Sequence, residues 1–172
     1  MEGGGGGIKR VAWKICSKVW KGEGWPVEWK DGLLAPIVKK GEGEGVEEYR
    51  GVTLMQTLYK IYATELTRAI EKEVEEKGMV PENQTGFRRG MGTMDNIFVL
   101  NYLVNRQMKE KGGKLVACFI DLKAAFDSVN RKRLWEAMKE RSISEGLIER
   151  TKEMYRETGS KVRIGCKMSE KF

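Results

Sequence analysis

The chain has 172 residues, 40% of them hydrophobic and 33% charged, which argues against extensive disorder and predicts one globular domain with its own core. It has no histidine, and its three cysteines, Cys16, Cys118 and Cys166, lie far apart, which excludes catalysis by histidine and argues against a zinc cluster or a disulfide framework. The net charge is +7, and it comes from the second half of the chain. Positions 1–86 hold 13 basic and 14 acidic residues, whereas positions 87–172 hold 19 basic and 11 acidic residues. The second half therefore has either an anionic partner such as nucleic acid or a solvated basic face.

The first third of the chain predicts a helix followed by a hairpin. Residues 1–7 contain five consecutive glycines and are expected to form a disordered tail. Apolar residues then recur every three or four positions over residues 8–22, which predicts an amphipathic helix. Residues 33–39 and 49–55 flank a glycine-rich loop and predict two paired strands, the first at a sheet edge because it contains Pro36.

The rest of the chain predicts four more helices and two more strands. The helices are expected over about residues 57–77, 93–111, 130–141 and 145–157, from the spacing of apolar residues and from glycine stops. The run LVACFI at residues 115–120 has no polar alternation, so it predicts a strand covered on both faces and central in its sheet. A last strand is expected at KVRIG. This order of elements predicts an α+β domain with helices on one face of a small sheet.

No segment predicts a membrane span or secretion. The apolar runs are shorter than the roughly 18 residues that a bilayer span needs, and the N-terminus lacks the apolar region of a signal peptide. We therefore expect no membrane partner and a reducing compartment, the nucleus or the cytoplasm.

The strongest local signal for chemistry is a carboxylate at the end of the apolar run. Asp121 directly follows LVACFI, so we expect it at the rim of the sheet, where its oxygens could hold a hard cation such as Mg²⁺. The alternative is that Asp121 accepts hydrogen bonds from the following backbone amides in an ordinary turn. Asp127 could face the same site or cap the helix that starts nearby. These residues alone indicate a basic α+β domain with a candidate carboxylate metal site.

Four motifs in a fixed order resemble one family. The segments LAPIVKKG, YRGVTLMQTLYKIYATELTRAI, QTGFRRGMGTMDNIFVL and FIDLKAAFDSV lie within residues 33–129 and are similar to the reverse transcriptases of non-LTR (LINE-like) retrotransposons. The resemblance implies part of a right-hand RNA-directed DNA polymerase with a mostly antiparallel sheet, the fingers over about residues 8–113 and a partial palm over about residues 114–172. It implies an RNA template, a DNA primer and a dNTP as partners and two Mg²⁺ ions as cofactors of the intact enzyme. It leaves the oligomeric state open.

The resemblance also implies roles for individual residues. Asp121 would be the catalytic metal ligand together with the backbone carbonyl of Leu122, and Asp127 would orient neighbouring groups. The nucleotide-binding residues would be Lys39, Lys40, Arg50, Ala124, Ala125 and Phe126, the last as a gate that excludes a ribose 2′-hydroxyl. The template-binding residues would be Gln84, Gly86, Phe87, Arg88 and Arg89. The alternatives are surface charge for the cations, core packing for Phe126 and a coincidental basic pair for the two arginines.

The sequence departs from the family pattern where activity depends on it. Its four aspartates, Asp31, Asp95, Asp121 and Asp127, include no adjacent pair, so the Tyr-x-Asp-Asp hairpin of the family is missing. The chain ends at MSEKF about where the preceding glycine-rich motif should begin, so we expect a fragment that binds magnesium weakly or not at all and is inactive alone. Gly51 stands where many relatives have a proline, which loosens the strand that carries Arg50.

Two other functions compete with the polymerase interpretation. A non-catalytic nucleic-acid-binding module is supported by the basic second half of the chain. Another two-metal enzyme with a palm-like fold, such as a nucleotide cyclase, is disfavoured because the fingers motifs have no place in it. In a fragment without the Tyr-x-Asp-Asp hairpin, the run at residues 115–120 is expected to expose an apolar edge.

Overall fold

The computed structural model of the chain describes residues 4–39 and 45–172, in which four consecutive helices separate two pairs of short strands. The helices of this part of the chain are α1 (Gly4–Trp20), α2 (Thr57–Glu76), α3 (Thr93–Lys109), α4 (Arg131–Glu140) and α5 (Glu145–Met154). Its strands are β1 (Asp31–Val38), β2 (Tyr49–Leu54), β3 (Gly159–Ile164) and β4 (Lys167–Met168). The α+β class predicted from the sequence is confirmed. None of the described helices is long and apolar enough to cross a membrane.

The four strands form one small mixed sheet in the order β2-β1-β3-β4. The predicted hairpin is confirmed, because β1 and β2 pair antiparallel from Val38 opposite Tyr49 to Leu33 opposite Leu54. The pairing of β3 with β4 is also antiparallel, whereas β1 and β3 are parallel. Since β3 pairs only with the first four residues of β1, Pro36 borders β2 alone. Although β1 is an inner strand, Pro36 therefore occupies the edge environment that proline favours.

The chain divides into two compact units, residues 1–73 with 135–172 and residues 74–134. The first unit holds the sheet, α1, α5 and most of α2, and the second holds α3 and the loops on either side of it. The predicted boundary between fingers and palm near residue 113 stays a prediction.

The core of the first unit is a cluster of aromatic rings. The cluster contains Trp25, Trp29, Tyr59 and Tyr62. Its contacting ring pairs have centroids 5.3–6.5 Å apart and are mostly edge to face. This geometry is favourable for aromatic pairs and adds to the gain from burying their large apolar area. The buried hydrophobic residues of the described chain all lie in this unit: Val19, Trp29, Tyr62, Leu66, Ile143, Leu147 and Ile148.

Helix α2 ends as the sequence predicts. Gly78 has a φ of 59°, and its N–H donates to the carbonyl of Glu75 while that of Met79 donates to Val74. These bonds satisfy carbonyls at the helix end, and glycine adopts the left-handed conformation without the penalty of a Cβ atom.

The N-terminal tail differs from its prediction. Helix α1 begins at Gly4, so residues 4–7 belong to the helix rather than to a disordered tail, and residues 1–3 lie outside the described part of the chain. Extending a formed helix costs less free energy than nucleating one. Once the amphipathic stretch that follows is helical, the preceding glycines can therefore form the first turn of the same helix.

The prediction of a central strand at residues 115–120 is wrong. This segment is irregular, and Val116, Phe119 and Ile120 are 94%, 80% and 85% exposed. An apolar run becomes a two-sided strand only when neighbours cover both faces and pair with both edges. Within the described residues no strand pairs with this segment.

Tyr62 carries a buried hydroxyl that has no hydrogen-bond partner among the described residues, although the residue is only 2% exposed. Burial raises the pKa of Tyr62 to about 12, against the opposing charge of Arg150. An unsatisfied buried hydroxyl costs about 1–3 kcal/mol, so the ring and not the hydroxyl stabilises the core.

We predict that Tyr62→Phe unfolds in urea at pH 7 with a free energy equal to or above that of the parent chain. Because the pKa of Tyr62 is raised in the folded state, the parent should lose an additional 2–3 kcal/mol, as an approximate figure, between pH 10 and 12, and the variant should not. Tyr62→Ala, which removes the ring, should cost about 3–5 kcal/mol. A large loss in Tyr62→Phe at pH 7 would show that the hydroxyl has a partner.

Candidate functional site

The β1–β2 hairpin places two predicted nucleotide-binding cations on one face. Arg50 lies opposite Ile37, and directly opposed residues share a face of the sheet. Lys39 is two positions beyond Ile37 and so falls on the same face. The N–H of Lys39 donates to the carbonyl of Glu48 at 2.7 Å, and its Nζ donates to the carbonyl of Glu47 at 3.3 Å. The side chain of Arg50 is exposed and makes no hydrogen bond or ion pair with a described residue.

Packing against β1 accounts for the glycine next to Arg50. Gly51 lies opposite Pro36, and a Cβ atom at Gly51 would lie 3.1 Å from Cδ1 of Leu34. The glycine thus gives the Leu34 side chain room across the hairpin. Lys40, the other cation predicted here, lies outside the described residues.

The loop of residues 81–92, in the second unit, carries the predicted template-binding residues and is tied to α2 and α3. Nε of Arg88 lies 3.7 Å from Oε1 of Glu75, and its Nη1 donates to the carbonyl of Pro81 at 3.4 Å. On the other side Nδ2 of Asn96 donates to Oγ1 of Thr85 at 2.7 Å. The contacts of Arg88 thus hold the loop against the end of α2, and the contact of Asn96 holds it against α3.

Other side chains of the same loop are open to solvent. Phe87 is 94% exposed and has a φ of 59°, a left-handed conformation that costs energy for any residue except glycine. Arg89 is exposed and makes no hydrogen bond or ion pair with a described residue. Nε2 of Gln84 donates to the carbonyl of Gly86 at 3.5 Å. The adjacent arginines therefore differ, because Arg88 holds the loop whereas the Arg89 side chain contacts no polar group of the described residues.

Asp121 and Leu122 are also exposed, with Leu122 at 72%. The carboxylate of Asp121 makes no hydrogen bond or ion pair with a described residue, so the ordinary turn role considered for it is not what the structure shows. A tight turn follows, in which the carbonyl of Ala124 accepts from Ser128 at 2.9 Å and Ala124 has a φ of 50°. The carbonyl of Ala125 accepts from Oγ of Ser128 at 3.3 Å.

Asp127 does not cap the next helix. Oδ1 of Asn130 accepts the backbone N–H of Arg133 at 3.1 Å and so caps α4. The orienting role implied for Asp127 by the resemblance stays a prediction.

Two phenylalanines bring the template motif and the nucleotide motif together. The rings of Phe87 and Phe126 lie 6.3 Å apart between centroids at an interplanar angle of 87°, an edge-to-face contact within the second unit. Phe126 is 81% exposed, so core packing does not explain it. Sequence reasoning named both residues but had no signal for their contact, because they lie in separate motifs.

Comparison with known proteins defines the class to which this fold and these motifs belong. Residues 37–170 match the family described as reverse transcriptase (RNA-dependent DNA polymerase). The match covers well over half of the chain, which therefore belongs to the reverse transcriptase family. By family it belongs among the RNA-directed DNA polymerases, as the motifs predict.

Several retrotransposon proteins are similar to this chain. The probable RNA-directed DNA polymerase from transposon BS of Drosophila melanogaster is 28% identical over 131 residues, which are 76% of this chain and 13% of that protein. The probable RNA-directed DNA polymerase from transposon X-element of Drosophila melanogaster is 32% identical over 107 residues, which are 60% of this chain and 12% of that protein. The retrovirus-related Pol polyprotein from type-1 retrotransposable element R2 of Popillia japonica is 25% identical over 141 residues, 81% of this chain and 19% of that protein.

These relatives confirm the predicted resemblance to enzymes of non-LTR retrotransposons. The chain spans less than a fifth of the length of each of them.

The described residues fit only part of a magnesium site. Reverse transcriptases generally use a divalent metal ion, and the Asp121 carboxylate and the Leu122 carbonyl are oxygen donors of the kind that Mg²⁺ accepts. Over residues 4–39 and 45–172, however, no three His, Cys, Asp or Glu residues cluster so as to hold a metal ion. Any ion held here would therefore rely on ligands beyond this set.

We predict that Arg88→Ala and Arg89→Ala affect the fold differently. Arg88→Ala removes the tie to Glu75 and should lower the free energy of unfolding by about 0.5–1 kcal/mol, since the pair is partly exposed. It should also speed amide hydrogen exchange over residues 81–92. Arg89→Ala is the matched control and should leave both quantities unchanged. Equal effects of the two variants would contradict the division of roles.

Proposed function

We propose that this chain supplies the fingers and the first part of the palm of a right-hand RNA-directed DNA polymerase, and that by itself it does not extend a primer. The observation that supports the proposal most directly is the family match over residues 37–170, which encloses every predicted site residue from Lys39 to Asp127. Catalysis by the longer protein would then use the segments of this chain to hold the template and the nucleotide.

By resemblance to the family, the hairpin would contribute residues that bind the incoming nucleotide in the longer protein. Lys39 and Arg50 share one face of the hairpin, and Lys40 would add a third cation for the triphosphate. In the second unit, the family resemblance implies that the backbone amides of Ala124 and Ala125 bind nucleotide as well. The exposed ring of Phe126 would occupy the space that a ribose 2′-hydroxyl needs.

The loop of residues 81–92 would grip the template strand. Phe87 offers an exposed ring for stacking a base, and Arg89 offers a cation for a phosphate. Gln84 and Gly86 would contact the strand beside them, whereas Arg88 would act by positioning the loop through Glu75. The unit that holds this loop has 11 basic and 7 acidic residues, which favours a polyanion.

Asp121 and the carbonyl of Leu122 would contribute oxygen ligands to a magnesium site that other carboxylates of a longer protein complete. Two bound ions would neutralise charge on the transferred phosphoryl group and on the leaving pyrophosphate. The exposure of Asp121 supports this role, since its carboxylate is not committed to another described residue. Asp127 would orient groups near that site.

A non-catalytic nucleic-acid-binding module is the second candidate. The excess of basic residues in the second unit and the exposed Phe87 and Arg89 favour it, because neither feature requires a metal ion. The two candidates differ in whether binding and chemistry depend on Asp121.

We predict no incorporation when the purified chain is incubated with an RNA template, a DNA primer, dNTPs and Mg²⁺, because a single carboxylate does not complete a two-metal site. The measurement is primer extension resolved on a sequencing gel. The control is Asp121→Ala, which should behave identically. Extension by the parent that is lost in this variant would overturn the proposed inactivity and would support the role of Asp121.

We also predict that the chain binds single-stranded RNA at low salt and that Arg89→Ala reduces the slope of log K against log salt by about 0.7, as loss of one phosphate contact requires. Phe87→Ala should weaken binding by about 1–3 kcal/mol. Arg68→Ala, which removes an exposed arginine of the first unit, is the matched control. Fluorescence anisotropy measures each constant. No binding by the parent at low salt would remove both candidates for the isolated chain.

A further inference from the structure

Two side chains of the loop of residues 81–92 are partly buried, and both tie the loop to a helix. Thr85 and Arg88 are the partly buried residues, whereas the other residues of this segment are exposed. Arg88 pairs with Glu75 of α2. Thr85 accepts a hydrogen bond on Oγ1 from Nδ2 of Asn96, which lies 11 positions further along the chain on α3, at 2.7 Å. The second bond thus joins the loop to an element that the first bond does not reach.

The two ties bracket Phe87, whose backbone is strained. Phe87 has a φ of 59°, and a residue other than glycine keeps such a conformation only where the surrounding contacts over-determine it. Thr85 lies two positions before Phe87, and Arg88 directly follows it. The backbone that carries the Phe87 ring is therefore held from α3 on one side and from α2 on the other.

The first turn of α3 gives Asn96 a fixed place from which to hold the loop. Its neighbour Asp95 accepts the backbone N–H of Gly92 on Oδ2 at 2.8 Å, a bond that caps the start of the helix. Consecutive residues of α3 thus bind the loop at two points, Asp95 at its end and Asn96 near its middle.

We propose that Asn96 is a positioning residue for template binding. Through Thr85 it holds the loop backbone in the conformation in which Phe87 presents its ring to a base of single-stranded RNA, and it contacts no nucleic acid itself. The bond raises affinity because a loop that is already in its bound conformation loses less conformational entropy on binding. This inference rests on the proposed function, since it presumes that the loop binds the template strand.

The test is the affinity of the full chain for single-stranded RNA at low salt, measured by fluorescence anisotropy. We expect Asn96→Ala to weaken binding about fivefold, the change that the net contribution of one hydrogen bond produces. Thr85→Val keeps the shape of the side chain without its hydroxyl and should weaken binding equally. The double variant should bind no more weakly than either single variant, because both changes remove the same bond. Thr85→Ser keeps the acceptor oxygen and should bind as the parent does.

The matched control is Asn105→Ala. Nδ2 of Asn105 donates to Oδ1 of Asn101 at 2.9 Å, a bond of the same kind that lies within α3. Its loss removes an asparagine from the same helix without touching the loop, so RNA affinity should stay unchanged. An equal loss of affinity in Asn105→Ala and Asn96→Ala would assign the effect to α3 as a whole and overturn the inference.

Coupling to Phe87 separates positioning from a general effect on stability. When Phe87 is already changed to alanine, Asn96→Ala should have no further effect on RNA affinity, because the ring that the bond positions is gone. A role in stability alone would lower affinity by the same factor in both backgrounds.

The outcomes distinguish this inference from the proposed function. The inference alone is overturned if the parent binds RNA but Asn96→Ala binds equally well, if the loss persists without Phe87, or if Thr85→Ser binds as weakly as Thr85→Val. If the parent itself binds no RNA at low salt, the proposed function fails for the isolated chain and the inference fails with it.

Discussion

The packing of tryptophans on Tyr62 is the constraint on which the first unit depends. Trp25 and Trp29, with centroids 5.3 and 5.8 Å from that of Tyr62, hold the segment between α1 and β1 against α2. Because Trp29 lies two residues before the start of β1, this packing also helps to fix where the hairpin with Lys39 and Arg50 begins. The positions of Lys39 and Arg50 therefore depend on an apolar cluster to which neither side chain belongs.

The second unit is held together differently from the first. None of its residues is buried, and its loop is held by polar ties from Arg88 to Glu75 and from Asn96 to Thr85. Few buried apolar contacts imply low local stability, so side chains such as Phe87 are not rigidly placed. An open basic surface of this kind is suited to an extended polyanion.

Local signals in the sequence predicted the elements that depend on neighbours along the chain. The β1–β2 hairpin, the glycine stop at Gly78 and the periodicity of α2 were predicted because turn chemistry and helical periodicity act over a few residues. Elsewhere the pattern failed. The run at residues 115–120 resembles a central strand, and Asp127 resembles a helix cap. In the described part of the chain, however, no strand pairs with that run, and Asn130 is the cap.

The sequence by itself determined the family, because four ordered motifs over residues 33–129 are specific whatever conformation they adopt. It also determined the chemistry available at each position. Only the tertiary structure decided that Arg88 pairs with Glu75 while the Arg89 side chain contacts no polar group of the described residues. It also decided that Phe87 contacts Phe126 and that Asp121 is exposed. The physical reason is that a residue type fixes what a side chain can bond to, whereas the groups that come within reach of it are set by parts of the chain distant in sequence.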